Sequence, residues 1–507
     1  MKDSGKLLLV EEPSIPMINH NNGVAMVILN QSRGYTPVII SKSDVDLPFF
    51  QSYVPSARII RPIRLSLVRR LFLAAKAVLQ WLMIKMTRNV VGFSHGGVRY
   101  GDIAYDTYLA QQKVGTIRHI DKPLLWIFYN CMRRHDETRA LIKSGKFSAV
   151  LVSHAVDTRS GVMLRSAIGA GCEGYLRAGH HQLTLQRHRT SDDVYDYAYT
   201  PRSRDIDTLV TELGERLPEE FKKELDFQIS GKGSTDSMYA FNPSLKFYAA
   251  RDKFCADYKV DPAKKNIFVM LHALNDYPHS HFRWMLFRDY YDWFYQTLQF
   301  AKKHPEVNWI FKQHPSIKFY PITDVNFDEL FVGVPPNIVY ISPEKQIDTR
   351  SVISISECVI TCLGSAGFEV PAMGGVPSIV AGDNFYFGLG FAREPRTKEQ
   401  YYQILSGLAD ITPLTPEQHR RAQATYLYIY RYARAPFSGA PVLSFSDEKD
   451  PKMADWYWDR VAKLYVERGE KIRMEMREYA KETAKPDFVK LPNLDFSLHS
   501  PLFSDAQ

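Results

Sequence analysis

The 507-residue chain predicts a doubly wound α/β protein built as two domains. Three observations carry this. The length exceeds what one ordinary core supports. Short apolar runs bounded by polar turns alternate with helical stretches in both halves of the chain. Between the halves, residues 213–245 are rich in charge, glycine and serine.

In the N-terminal half, Leu7–Val10 and Thr36–Ser41 read as strands, and Phe147–Ser153 reads as a buried strand ending in Ser153-His154. Val24–Leu29 reads as a similar run or as part of a helix. Gly231-Lys232-Gly233-Ser234 lacks the upstream glycine of a phosphate-binding P-loop and reads as linker. The second half offers strands at Asn266–Leu271, Asn308–Lys312, Ile338–Ile341, Cys358–Cys362 and Pro377–Val380, with an aromatic helix over Phe282–Lys302. Thr415 and Pro416 are suited to cap and start a helix over Pro416–Arg434. Met453–Tyr479 reads as helix and the tail after Pro486 as irregular. These readings place one domain at 1–230, a second at 246–440, and C-terminal helices and tail at 441–507.

Apolar residues make up 45% and charged residues 24%, an ordinary composition for a soluble protein. The aromatic share suits sugar-stacking surfaces and a plain core alike. A net charge of +8 fits anionic substrates or an anionic membrane surface. It is too dispersed for nucleic acid, and no zinc-finger or RNA-binding motif accompanies it. Five scattered cysteines imply a reducing compartment without a disulfide framework. Met1-Lys-Asp-Ser-Gly-Lys precedes only four apolar residues, too few for a signal sequence. No uncharged run reaches a membrane span, so a cytoplasmic protein is expected.

Arg61–Arg88 carries seven Lys/Arg among Leu, Phe, Trp and Met, with Arg69, Lys76 and Gln80 on one face at helical spacing. Such a helix can lie peripherally on an anionic bilayer or pack against its own sheet. Packing is the expectation.

Two segments carry the chemistry. Lys312-Gln313-His314-Pro315 follows a strand, and Pro315 fixes the exit, leaving His314 at the strand's C-terminal end. Ligands of open α/β sheets bind at that edge. The strand Cys358–Cys362 is followed by Leu363-Gly364 and a helix from Ser365. The unpaired N–H groups and dipole of a helix N-terminus hold phosphate. Gly364 permits close approach, Ser365 adds a hydroxyl, and Glu369 lies one turn on, on the same face, placed to accept ribose hydroxyls. Gly374-Gly375 ends the helix. Any strand-to-helix turn of an α/β fold also favours Gly and Ser, so each segment alone is weak.

Together, Phe311-Lys-Gln-His-Pro, Thr361-Cys-Leu-Gly-Ser-Ala-Gly-Phe-Glu and Gly375-Val-Pro-Ser-Ile-Val-Ala-Gly-Asp-Asn-Phe-Tyr resemble the bacterial capsule and surface polysaccharide biosynthesis proteins, including the capsular Kdo transferases. The resemblance is specific over 265–402 and weaker over 92–180. It implies a GT-B-like fold, two Rossmann-like domains facing across a cleft, with the donor nucleotide held mostly by the C-terminal one. By position, it implies that His314, with Lys312, contacts the donor phosphate or ribose. Gly364 and Ser365 bind phosphate, Glu369 holds ribose, and Asn384 and Tyr386 line the sugar side. The family often has two hydroxyl residues where this chain has Gly364-Ser365, which leaves the donor class open.

Sugar transfer also needs a base for the acceptor hydroxyl. In a GT-B enzyme that base comes from the N-terminal domain. Asp102 and Asp106 are candidates, although Asp102 equally suits a helix cap. His154 is the other. Asp276, His279 and His281 form a weak metal pattern without a fourth ligand. Asp44-Val45-Asp46 and Asp205-Ile206-Asp207 match the metal-binding Asp-x-Asp of the other large glycosyltransferase fold, against which the two-domain pattern argues. The expected protein is therefore a metal-independent glycosyltransferase with no cofactor. It takes a nucleotide-sugar donor, of the CMP-Kdo kind, to a glycan or lipid-linked glycan acceptor. A polyol-phosphate transferase of the teichoic-acid type and a non-catalytic glycan-binding scaffold are the alternatives.

Overall fold

The computed structural model describes residues 5–14, 16–44, 47–178, 184–195, 200–230, 244–280, 282–314, 317 and 320–433. The helix expected over Met453–Tyr479, the tail, and the Gly231–Ser234 linker lie outside them. The described residues fall into two compact units. One comprises 5–108, 118–195 and 431–433, the other 109–117 and 200–430.

The first unit runs β1 (Leu7–Val10), α1 (Pro16–Arg33), β2 (Thr36–Ile40), α2 (Leu47–Tyr53), β3 (Arg58–Ile60), α3 (Leu67–Thr87), the hairpin β4 (Ser94–His95) and β5 (Val98–Arg99), α4 (Gly101–Gln112, its last residues counted with the second unit), α5 (Lys122–Gly145), β6 (Ala149–Val152), α6 (Ser160–Ile168), β7 (Glu173–Ala178) and β8 (Thr184–His188). The sheet order is β3-β2-β1-β6-β7-β8. All neighbours pair in parallel except β7 with β8. Side chains alternate between faces along each strand. Leu8, Val10 and Leu151 enter one core, and Leu9, Val150 and Val152 enter the core on the other side. Both faces are covered, so the strands are continuous apolar runs.

Val24–Leu29 belongs to α1, and all six residues are buried. A helix buried all round has no polar stripe, so its sequence reads like a strand. α3 departs from the expectation of packing against its sheet. Ser66 caps it, and four of its polar side chains bond inward. Arg69 Nε donates to Asp136 on α5 at 2.6 Å, and Lys76 Nζ lies 3.2 Å from His95 Nδ1. Gln80 donates to the Ser94 carbonyl, and Trp81 Nε1 donates to the Asp121 carbonyl. Only Leu73, Ala77 and Ile84 of α3 are buried.

The second unit runs α7 (Ser203–Leu213), α8 (Leu217–Ile229), α9 (Arg251–Tyr258), β9 (Asn266–Met270), α10 (Tyr290–Ala301), β10 (Asn308–Lys312), α11 (Phe327–Leu330), β11 (Ile338–Ile341), α12 (Thr349–Ile355), β12 (Cys358–Thr361), α13 (Ala366–Gly374), β13 (Ser378–Val380), β14 (Ala392–Arg393), α14 (Lys398–Ser406) and α15 (Pro416–Leu427). Its sheet is wholly parallel in the order β11-β10-β9-β12-β13-β14. Both sheets thus have the Rossmann strand order, with the reversal between β1 and β6 in one and between β9 and β12 in the other. The α/β fold of two Rossmann-like units is the one expected.

The expected domain limits differ from the compact units at 109–117, at 431–433 and most extensively over 200–230. Residues 203–229 form α7 and α8, and both pack on α15 of the second unit. Phe221 meets Tyr426 edge-on at 5.2 Å, and Arg421 Nη1 donates to Asp207 at 2.5 Å. Within the charged stretch expected as linker, residues 217–229 form the amphipathic helix α8. The aromatic helix starts only at Tyr290, where Asp289 accepts the Asp292 N–H as N-cap. Thr415 caps α15 in a capping box with Gln418, and Gly375 ends α13 at φ 65°.

Truncating Phe221 to Ala empties a buried site against α15. It is expected to destabilise the second unit by about 3–5 kcal/mol, measured by denaturant unfolding followed through the buried Trp293 and Trp309.

Candidate donor site

β9, β10 and β12 of the second unit end at the same edge, and each is followed by a polar residue. Nε2 of His272, just past β9, accepts the Leu363 N–H at 3.2 Å and lies 3.1 Å from Thr361 Oγ1. An accepting Nε2 is unprotonated, so the ring carries its proton on Nδ1 and is neutral. The ring stacks on Tyr290 at 4.1 Å and meets Trp293 edge-on. Burial, with a smaller contribution from neighbouring His314, depresses its pKa to about 3. His314, past β10, is lowered to about 4 by burial and by the charge of Lys312. Lys312 is buried and donates to Gln346 Oε1 at 2.8 Å. Burial lowers it to about 8, and the Asp348 carboxylate opposes that shift.

Past β12, the Gly364 N–H is held by Thr361 Oγ1 at 3.1 Å, and the Leu363 N–H by His272. The turn therefore spends its first two donors on itself. Ser365, the exposed N-cap of α13, makes no side-chain capping bond. Neither the Ser365 nor the Ala366 N–H bonds back to the turn among the described residues. Donors and the positive end of the α13 dipole thus meet at the strand reversal, with His272 bonded to the turn and His314 near that ring. His272 has no marker in the sequence. Leu271-His272-Ala273 lacks a proline or glycine, and its partners stand 89 and 91 residues away.

Glu369 lies in the first turn of α13, where one carboxylate oxygen accepts the Tyr430 hydroxyl. Asn384 and Tyr386 do not line an open sugar side. Tyr386 is fully buried, and its hydroxyl donates to the Gly364 carbonyl at 2.7 Å from beneath the turn. A Cβ on Gly367 would stand 2.0 Å from that hydroxyl, so Gly367 is required for packing. Asn384 is buried, and its Oδ1 accepts the Tyr386 N–H. Another carboxylate missed in the sequence is Glu394. Burial raises it to about 7, with Asp383 adding to the shift, while the Gly388 N–H and Arg396 oppose it.

In the first unit, the proposed bases fare unequally. Asp102 is fully buried in the first turn of α4, where its Oδ1 accepts from Arg165 at 2.7 Å and from the Ile103 N–H. Burial alone would raise its pKa, but Arg165 and Arg99 hold it below the usual range. It is the anchor of a buried ion pair, not an accessible base and not the helix cap. Asp106, one turn on, is also fully buried. His154 is exposed just past the C-terminal end of β6, with Nδ1 3.4 Å from Ser153 Oγ.

At the corresponding reversal of this sheet stands a carboxylate. Glu11, just past β1, accepts the Ser153 N–H at 2.8 Å and the Ser160 hydroxyl at 2.6 Å. The two sheets thus make the same bond across their reversal points with opposite chemistry, a carboxylate in one and an imidazole in the other.

Asp-x-Asp metal binding at 205–207 is not supported. Asp205 closes a capping box with Arg202, and Asp207 pairs with Arg421. Asp44-Val45-Asp46 and Asp276-x-x-His279-x-His281 include residues outside the described set. His95, His135 and Asp136 have ligand atoms within 4.8 Å of one another. Arg69 and Lys76 already face that cluster, so a cation entering it meets two positive charges.

No family model matches the chain, and no curated protein matches it. Among solved structures it aligns with the S. aureus MnaA–UDP co-structure (11% identity, 92% of this chain and 97% of that one, TM-score 0.25). It also aligns with a glycosyltransferase from Rickettsia africae (13%, 84% and 93%, 0.27). A third alignment is with a UDP-GlcNAc 2-epimerase from Neisseria meningitidis bound to UDP-GlcNAc (12%, 83% and 98%, 0.25). At such distances, function has to be read from the chain's own residues.

Two outcomes follow. Asp102→Ala strands Arg165 and is expected to cost about 3–5 kcal/mol of stability, read by unfolding. A general base would instead lose turnover with stability intact. The second concerns pH. From the unperturbed 6.5 down to about 4, the unfolded chain binds protons that the folded histidines refuse. Stability of the second unit is thus present above that window and lost as pH falls through it. The wild-type melting temperature should drop over this range, and His272→Gln with His314→Gln should flatten the decline.

Proposed function

We propose that the chain is a glycosyltransferase whose second unit holds the nucleotide-activated donor. The observation that carries this reading is the α13 N-terminus with Ser365 at the strand reversal of a parallel sheet, beside His272 and His314, the place where such sheets take ligands. The first unit offers a carboxylate, Glu11, at the corresponding point, which repels a phosphate. The assignment of the donor to the second unit therefore has an electrostatic basis.

The reaction is displacement of the nucleotide by an acceptor hydroxyl. The bond from the anomeric carbon to phosphate oxygen breaks as the new glycosidic bond forms. Negative charge grows on the leaving phosphate, where the free N–H groups of α13, the Ser365 hydroxyl and Lys312 can stabilise it. Lys312, at about 8, is largely charged at neutral pH, and an adjacent phosphate favours that form further. The acceptor proton passes to a base. With Asp102 and Asp106 buried, His154 is the accessible residue among those proposed. Glu369 serves the ribose from the first turn of α13. Asn384 and Tyr386 support the turn.

The resemblance of segments 311–315, 361–369 and 375–386 to capsule polysaccharide enzymes supports a CMP-activated acidic sugar such as CMP-Kdo. The acceptor is a glycan or lipid-linked glycan of the cell surface. No resident metal or cofactor is assigned a role.

The test is thermal stabilisation by CMP, CDP, UDP, GDP and ADP. A ligand at 100 times its Kd stabilises by about 2.7 kcal/mol. CMP is expected to raise the melting temperature of the wild type and not of His314→Ala. A response to UDP or GDP instead retains the site and replaces the donor. No response to any nucleotide rejects the reading.

A further inference from the structure

α3 is amphipathic with its faces reversed. Its polar residues Arg69, Lys76, Gln80 and Trp81 bond inward to α5, the β4 strand and the loop before α5. Its large apolar residues face solvent. Leu67 is 68% exposed, Val68 78% and Met86 86%, and Leu71, Leu79 and Met83 are exposed with them. At 3.6 residues per turn these six fall on one continuous arc, opposite the buried Leu73, Ala77 and Ile84. Nine of the thirteen exposed large apolar residues of the described chain lie on this helix. α5 adds Trp126, 61% exposed. Contiguous apolar surface of this kind marks a docking face.

The charges around it identify the occupant. Residues 61–88 contain seven Lys/Arg and no Asp or Glu. Arg69 and Lys76 are spent on inward bonds. Arg70, Lys85 and Arg88 are exposed along one flank of the arc, where long side chains can extend past an apolar plane to its polar boundary. Among the described residues no helix is long and apolar enough to cross a membrane. A helix with an apolar face bordered by cations and without acids lies in the interface of an anionic bilayer.

We propose that α3 is a lipid-binding face that seats the chain on an anionic membrane, with its apolar arc in the acyl boundary and Arg70, Lys85 and Arg88 at the headgroups. The proposal is independent of the donor site in the second unit.

The test is cosedimentation of the full chain with vesicles of equal parts phosphatidylglycerol and phosphatidylcholine, against pure phosphatidylcholine. Binding to the anionic vesicles is expected. It should fall at least about tenfold in Arg70→Glu/Lys85→Glu, and also at about 1 M salt, where the screening length is about 3 Å. It should be lost in Leu71→Glu/Met83→Glu. All four side chains are exposed, and circular dichroism and melting temperature should match wild type. Absence of binding to anionic vesicles overturns the proposal, as does binding that both double variants leave unchanged. A concentration-dependent dimer abolished by Leu71→Glu/Met83→Glu, without vesicle binding, assigns the face to a second copy instead.

Discussion

The hydrogen bond from the Leu363 N–H to His272 Nε2 joins the two strands between which the second sheet reverses its order. Such a bond contributes only about 1 kcal/mol net, but losing its acceptor leaves a buried donor at a cost of about 1–3 kcal/mol. Its consequences reach further than its energy. It fixes the imidazole as the neutral Nδ1–H form. With Tyr290 stacked on the ring, it also holds the ring in one orientation. It uses up the N–H that points inward, so the next free donors, on Ser365 and Ala366, are the ones presented outward. Tyr386 steadies the same turn from below through the Gly364 carbonyl. The turn is thus braced from two sides before any ligand arrives, a pre-organisation that spares the ligand the cost of ordering it.

The two sheet reversals differ in their electrostatics. In the first unit, Glu11 closes the gap between β1 and β6 and has both carboxylate oxygens occupied by Ser153, Asn22 and Ser160. That is a finished structural site. In the second unit a neutral imidazole takes that place, and burial holds the nearby Lys312 below its usual pKa against the opposing charge of Asp348.

How much of this was legible depended on sequence distance. Asn308–Lys312 and Ile338–Ile341 were read to the residue because a strand covered on both faces is a short, continuous apolar run. The same reasoning leaves Val24–Leu29 undecided, since a helix buried on every side gives the same signal. The Gly364-Ser365 turn and His314 were visible because glycine and proline punctuate the chain beside them. His272 was invisible, as its meaning lies in Thr361 and Leu363. Asp102 was correctly placed at the start of a helix, but its partner Arg165 is 63 residues away. Nothing local separates a buried ion pair from an exposed base. The resemblance implies a ligand role for Tyr386 by position, but its burial is set by tertiary contacts that position does not reveal. The amphipathicity of α3 was plain, and the direction in which each face points was not.

The contact between Gly367 and Tyr386 bears on how the chain can vary. The hydroxyl fills the space that any side chain at 367 would need, and the same hydroxyl carries the brace to Gly364. The two positions, nineteen residues apart, therefore form one unit of inheritance. Where a relative carries alanine or serine at 367, it should also carry a shorter residue at 386, and its turn at 364 will need another support. The second glycine of the Gly-Ser-Ala-Gly segment, which looks like part of a ligand motif, makes room for the buried Tyr386.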